Sequence, residues 1–91
     1  MLKFEWDAAK SESNKLKHGV SFEEAATVFG DPLAYTFEDP DHSAAEERML
    51  TFGVSHKGQL LVVVHTKRKR AVRIISARKA TKHERGIYEH G

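Results

Sequence analysis

The clearest pattern along the chain is a pair of apolar, β-branched segments separated by consecutive cations. The apolar segments are residues 60–64 and 72–77, and the cations are residues 67–70. Such segments favour β-strands, and the short connection predicts a β-hairpin with a basic tip. We expect this hairpin to form the structural centre and one wall of the site. Strict alternation along its second strand places Arg73 and Arg78 on opposite faces.

The other periodic patterns complete an α+β arrangement. In chain order they predict a short strand over residues 2–6, helices over 8–18 and 22–29, strands over 33–38 and 50–54, and a short helix after Thr81. We therefore predict an antiparallel β-sheet meander with two N-terminal helices packed on it and a short C-terminal helix, in the order β-α-α-β-β-β-β-α. Pro32 favours an edge position for the strand that follows it. Without a long linker, residues 1–91 form one domain.

The first helix has only a thin apolar stripe. That stripe consists of Ala9, Ser13 and Leu16. The opposite side carries three groups that can donate to a phosphate, at the spacing i, i+4 and i+7: Lys10, Asn14 and Lys17. The alternative for this side is an ordinary solvated helix face.

Composition excludes several classes of protein. The chain has no cysteine, which excludes disulfides, thiol catalysis and cysteine-based zinc sites. Its longest apolar run is far shorter than the roughly 20 residues that a bilayer requires, and no signal peptide is visible. We therefore expect a cytoplasmic protein that does not contact a membrane. The acidic loop over residues 39–47 lacks the spacing of a calcium site, so we expect a polar turn, no metal and no cofactor.

Charge is distributed unevenly between the two parts of the chain. Residues 1–56 contain five Lys or Arg against eleven Asp or Glu, whereas residues 57–91 contain ten against two. Nine of those cations lie within residues 67–85, together with the single carboxylate of Glu84. Such a cluster is typical of a surface that binds a polyanion such as RNA. The alternative is that the two parts of the chain attract each other within the fold.

Cleavage of RNA without a metal requires groups that move protons and cations that stabilise the charge of the transition state. The candidate charge stabilisers are Arg73 and Arg78, and the candidate proton carriers are His65, His83, Glu84 and Tyr88. The candidate catalytic set is Arg78, Arg73, Glu84 and His65. The candidate nucleic-acid contacts are Lys10, Lys17, Lys67, Arg68, Arg70, Lys79 and Lys82. We expect the cations of the last third to converge on one concave surface.

Two separated motifs resemble those of a known family. They are KHGVSFEEA at residues 17–25 and RIISARKA at residues 73–80, and they are preceded by Phe4-x-Trp6-Asp7. Together they resemble the BrnT toxins of type II toxin–antitoxin systems over about residues 4–88. The resemblance implies a RelE-like fold, a ribonuclease activity that arrests growth, and neutralisation by a BrnA-like antitoxin in a complex that binds operator DNA. It also implies functional positions at Arg78, Arg73 and Glu84.

One position departs from the pattern of this family. Many members have an acidic residue where this chain has Lys67, directly after His65-Thr66. Two alternatives to a ribonuclease stay open, one because the chain has no unmistakable acid–base pair and the other because of Lys67. The chain is then either a nucleic-acid-binding module without catalysis or an antitoxin-binding protein that has lost toxicity.

Overall fold

The computed structural model describes residues 2–40 and 47–90. Within these ranges it contains five strands, β1 (Lys3–Glu5), β2 (Tyr35–Glu38), β3 (Arg48–Val54), β4 (Leu60–Arg68) and β5 (Ala71–Lys79), and three α-helices, α1 (Ala8–His18), α2 (Phe22–Thr27) and α3 (Lys82–His90). A 3-10 turn at Val28–Gly30 extends α2. The predicted α+β class and element order are confirmed. The turn expected over residues 39–47 falls mostly outside the described residues.

The strands form one mixed sheet in the order β1-β5-β4-β3-β2. Strands β2 to β5 make the predicted antiparallel meander, and β1 adds to it by pairing in parallel with β5. The β4–β5 hairpin therefore lies in the interior of the sheet, as the apolar segments predicted. Strand β2 lies at an edge, as Pro32 indicated.

One face of the sheet carries the main core. The buried side chains of β4 and β5 on this face pack against α2 and the segments that flank it: Val20, Phe22, Ala25, Val28, Leu61, Val63, Ile74 and Ala77. Gly53 of β3 also belongs to this face, where an added Cβ would lie 2.6 Å from Cγ1 of Val28. Only a glycine therefore allows the 3-10 turn to approach the sheet so closely. The other face is the one that α3 crosses, and we call it the open face.

A β-bulge in β5 determines which side chains reach the open face. The register pairs His65 with Ile74 and Val64 with Ser76, so that Ile75 is left without a partner on β4. One extra residue reverses the alternation beyond it. Ile74 and Ala77 consequently both point into the core, although three residues separate them in numbering. The prediction that Arg73 and Arg78 lie on opposite faces is therefore wrong.

The contact between α1 and the sheet is polar. Asn14 is buried, and its side-chain amide donates to the carbonyls of Val20 (2.9 Å) and Ala77 (2.8 Å), while its oxygen accepts from the N–H of Ala77 (3.1 Å). Strand β1 pairs with β5 only as far as Arg73, so Asn14 satisfies backbone groups of β5 beyond the end of that pairing. The predicted apolar stripe of α1 instead faces outward, with Leu16 88% exposed.

This arrangement predicts opposite outcomes for two substitutions in α1. Asn14→Ala leaves the N–H and carbonyl of Ala77 without their partner, and we expect it to lower the free energy of unfolding by about 2–4 kcal/mol. Leu16→Ala removes an exposed side chain, and we expect a change within about 0.5 kcal/mol. Urea unfolding followed by circular dichroism measures both. A larger loss for Leu16→Ala would contradict the observed orientation of the helix.

Candidate functional site

The open face brings together the two arginines that the sequence singled out. Arg78 lies opposite Val62 and Arg73 lies opposite Thr66, and these two β4 residues are four positions apart. Because side chains of a strand alternate with period two, both arginines share one face. Ser76 lies between them on β5. The bulge therefore produces a surface on which two guanidinium groups flank a hydroxyl.

Arg78 is held in a forked ion pair. Its two terminal nitrogens donate to the two carboxylate oxygens of Glu84, both at 2.7 Å. The hydrogen bonds from Arg78 lower the pKa of Glu84 to about 2, and the same pairing raises the pKa of Arg78. Glu84 is thus ionised at neutral pH and too weak a base to take a proton readily. Its geometry fits a residue that positions Arg78.

Glu84 holds that position because it also caps α3. Its carboxylate accepts from the N–H of Thr81 (2.8 Å), and the Thr81 hydroxyl accepts from the N–H of Glu84 (3.2 Å). These are the reciprocal hydrogen bonds of a capping box, in which Thr81 and Glu84 have the Thr-x-x-Glu spacing. The start of α3 is therefore fixed to the end of β5 through Arg78.

A second contact fixes the other end of α3. The Tyr88 hydroxyl donates to Asp31 (2.7 Å), whose carboxylate also accepts from the N–H groups of Val54 and Leu33. This hydrogen bond raises the pKa of Tyr88 to about 12. Burial alone would raise the pKa of Asp31, but its three hydrogen bonds outweigh that effect and lower it. Tyr88 therefore acts as an anchor of the helix.

Arg73 makes a single hydrogen bond to its carboxylate partner, whereas Arg78 makes two. Its guanidinium donates to Glu5 of β1 at 2.8 Å, and both side chains are partly exposed. The parallel pairing of β1 with β5 places Glu5 directly beside Arg73 in the register. The sequence predicted the strand that contains Glu5 but not its pairing partner, so this ion pair was not foreseen.

His65 lies away from these arginines, on the core face. Its Nε2 is 2.7 Å from the Thr51 hydroxyl, and its ring packs edge-to-face on Phe29 with centroids 4.9 Å apart. Burial lowers the pKa of His65 to about 4, so the ring is neutral at neutral pH. The structure therefore does not bring His65 together with Arg73, Arg78 and Glu84.

The remaining predicted cations do not all converge on one surface. Arg68 shares the open face with Arg73, because it follows Thr66 by two residues on β4. Lys67 and Arg70 instead line a cavity of about 430 Å³ that also contacts His65. Lys79 and Lys82 are exposed at the junction of β5 and α3. Lys10 and Lys17 line a groove between α1 and β5.

The open face also carries aromatic side chains that are not among the predicted site residues. Tyr35 and Phe37 are 37% and 43% exposed, and their rings stack with centroids 6.1 Å apart. The register aligns Tyr35, Phe52, Val62 and Arg78 in one row across the sheet. The alternation of Tyr35 and Phe37 along β2 is visible in the sequence. Their position on the same face as Arg73 and Arg78 depends on the strand order.

With this geometry established, comparison with known proteins identifies the family. A family profile described as "Ribonuclease toxin, BrnT, of type II toxin-antitoxin system" matches residues 6–84. The chain belongs to the BrnT toxin family. A solved structure of the Brucella abortus ribonuclease toxin BrnT is similar to this chain, with a TM-score of 0.68 and 24% sequence identity, over 90% of this chain and 100% of that one. At this identity the likeness establishes the fold. A search of curated proteins found no match.

No helix in residues 2–40 and 47–90 is long and apolar enough to cross a membrane. Within the same ranges, no three His, Cys, Asp or Glu side chains are grouped so that they could hold a metal ion.

The buried position of His65 predicts a specific pH dependence of stability. Its folded pKa of about 4 lies below the ordinary value of 6.5, so the unfolded chain takes up a proton that the folded chain does not. The free energy of unfolding should then fall as the pH is lowered from 6.5 towards 4. We expect His65→Gln to flatten this dependence and the exposed-site variant His83→Gln to retain it. Urea unfolding at a series of pH values measures both, and an unchanged slope in His65→Gln would contradict the assignment.

Proposed function

We propose that this BrnT-family protein is an endoribonuclease that cleaves RNA without a metal, using Arg73 and Arg78 as charge stabilisers. The observation that carries the proposal is their common position on the open face, on either side of Ser76. Two permanently charged and partly exposed guanidinium groups suit a phosphodiester, because they donate in a planar fork that matches phosphate oxygens.

The proposed reaction is attack of the ribose 2′-oxygen on the adjacent phosphorus. A bond forms between them, the bond from phosphorus to the 5′-oxygen breaks, and a proton passes from the 2′-hydroxyl to the leaving oxygen through solvent or a side chain. Negative charge accumulates on the non-bridging oxygens, where fixed cations lower the barrier. Arg78 supplies one of these cations, and Glu84 orients its guanidinium group until substrate arrives.

Substitution of Arg78 tests this mechanism. We expect Arg78→Ala to lower kcat for cleavage of a single-stranded RNA by about 10²–10³-fold, the usual effect of losing one preorganised donor to the transition state. Arg78→Lys retains charge but not the fork, so it should recover only part of the rate. Arg85→Ala removes the same charge from an exposed position of α3 and should leave the rate unchanged.

The assay uses pure protein in a buffer containing a chelator, with circular dichroism to verify that each variant is folded. Equal rates for wild type and Arg78→Ala would remove Arg78 from the mechanism. Rapid cleavage that stops when the chelator is added would contradict metal independence.

The second candidate is a partner-binding protein without activity. Two observations favour it: Lys67 replaces the acidic residue of the family pattern, and both arginines of the open face are already paired with carboxylates of the chain. In either case we propose that the protein binds a BrnA-like antitoxin and that the complex binds operator DNA. If the protein is an active ribonuclease, this binding neutralises it.

Expression in growing cells distinguishes the two candidates. We expect induction of the protein to arrest growth, because cleavage of RNA stops protein synthesis, and coexpression of the adjacent gene to restore it. Arg78→Ala at the same protein level should not arrest growth. Normal growth of cells that contain the soluble, folded wild-type protein would favour the inactive candidate.

A further inference from the structure

A groove between α1 and β5 has the chemistry of a phosphate site. It has a volume of about 210 Å³, and Asn14 forms its floor. Its walls are Lys10, Ser13, Lys17 and His18 from α1, and Ile75 and Ser76 from β5. These residues include two ammonium groups, an imidazole and two hydroxyls, and none is acidic. A neutral apolar ligand would gain little from such walls.

The two lysines of this groove differ from the arginines of the open face in one respect. Arg73 and Arg78 are each paired with a carboxylate, whereas neither Lys10 nor Lys17 has an ion pair within the part of the chain that the structure describes. Their charge is therefore available to an incoming anion. Both amide hydrogens of Asn14 are already donated, to Val20 and Ala77, so Asn14 holds the walls in place and has no donor left for an anion.

The groove is continuous with the open face. Ser76 lies between Arg73 and Arg78 on that face and is also a wall of the groove. On α1, the hydroxyl of Ser11 accepts a hydrogen bond from the N–H of Phe22 (3.4 Å). Ser11 therefore lies on the flank of α1 that faces the core. Helical spacing places Lys10 and Lys17 beyond Asn14 on the other flank, towards the open face.

The dimensions of the groove suit a strand more than an isolated ion. Lys10 and Lys17 are separated by two helical turns, about 10.5 Å along the axis. An ammonium group is a compact charge on a flexible stem, which contacts phosphates without reading a base. The row of side chains that leads across the sheet to Ser76 consists of Phe37, Leu50 and Val64, all of which retain exposed surface.

We propose that this groove binds a backbone phosphate of single-stranded RNA, next to the phosphodiester held at the open face. The inference rests on the proposed ribonuclease function and extends it, because it assigns Lys10 and Lys17 to a subsite for binding and not to the chemical step. Ser13 and Ser76 complete the subsite as hydroxyl donors.

The test compares two double variants of equal charge. Lys10→Gln/Lys17→Gln alters the groove, and Lys15→Gln/Lys57→Gln removes the same charge from exposed positions outside it. Gln and Lys have similar helix propensities, so α1 should remain folded in both, which circular dichroism verifies. The probe is a fluorescent 2′-O-methyl RNA, which lacks the attacking hydroxyl and cannot be cleaved, and its affinity is measured by anisotropy over a range of salt concentrations.

We expect the groove variant to bind this probe on the order of tenfold more weakly and to lower the slope of log K against log salt by about 0.7, the value for one phosphate contact on a single strand. The control variant should keep the wild-type slope. With cleavable RNA, the groove variant should raise KM and leave kcat within about twofold of the wild type, the pattern for loss of uniform binding.

Equal losses of affinity in both double variants would overturn the inference, because they would indicate only the effect of net charge. An unchanged affinity in the groove variant would overturn it as well, as would a fall in kcat without a rise in KM. Because the binding probe cannot be cleaved, the result does not depend on activity. Failure of Arg78→Ala to lower the cleavage rate would therefore contradict the proposed mechanism without affecting the test of the groove.

Discussion

The β-bulge at Ile75 is the constraint on which the rest of the site depends. Without the extra residue, the alternation of β5 would direct Arg78 into the core face and leave only Arg73 on the open face. A buried, unpaired guanidinium is costly, so the chain gains both folding and a two-arginine surface from the same irregularity. Bulges are enriched at such positions because they redirect a side chain while the sheet remains intact.

Several polar side chains each join two elements of the fold. Asn14 satisfies the backbone of β5 beyond the end of its pairing with β1, Glu84 orients Arg78, and the pair of Tyr88 and Asp31 fixes the far end of α3. Each of these side chains holds one element against another. These contacts hold the guanidinium groups of the open face in place, as the proposed electrostatic catalysis requires.

Local sequence signals predicted much of this fold. Periodic patterns marked the helices, β-branched segments marked the hairpin, and Pro32 marked the edge strand. The side of α1 that faces the sheet was predicted wrongly. Hydrophobic periodicity favoured the side of Leu16, whereas the buried amide of Asn14 holds the helix against the sheet. A signal for the bulge was present: Ile74 and Ile75 are adjacent apolar residues followed by Ala77, a pattern that breaks period two.

Long-range relations could not be predicted in the same way. The parallel pairing of β1 with β5 determines that Glu5 meets Arg73, and the strand order determines that Phe37 shares a face with the arginines. Neither follows from local pattern. The residue type of His65 predicts a proton carrier, but its burial depends on contacts with Thr51 of β3 and with Phe29 of the 3-10 turn.

The central claim is that Arg73 and Arg78 present their guanidinium groups to the same RNA strand. The most direct measurement is the NMR signal of each arginine Nε–Hε group during titration with an uncleavable 2′-O-methyl RNA. The account predicts that the signals of Arg73 and Arg78 shift together with one dissociation constant, while that of Arg85 stays in place. Shifts confined to the hairpin tip, with Arg73 and Arg78 unchanged, would contradict it.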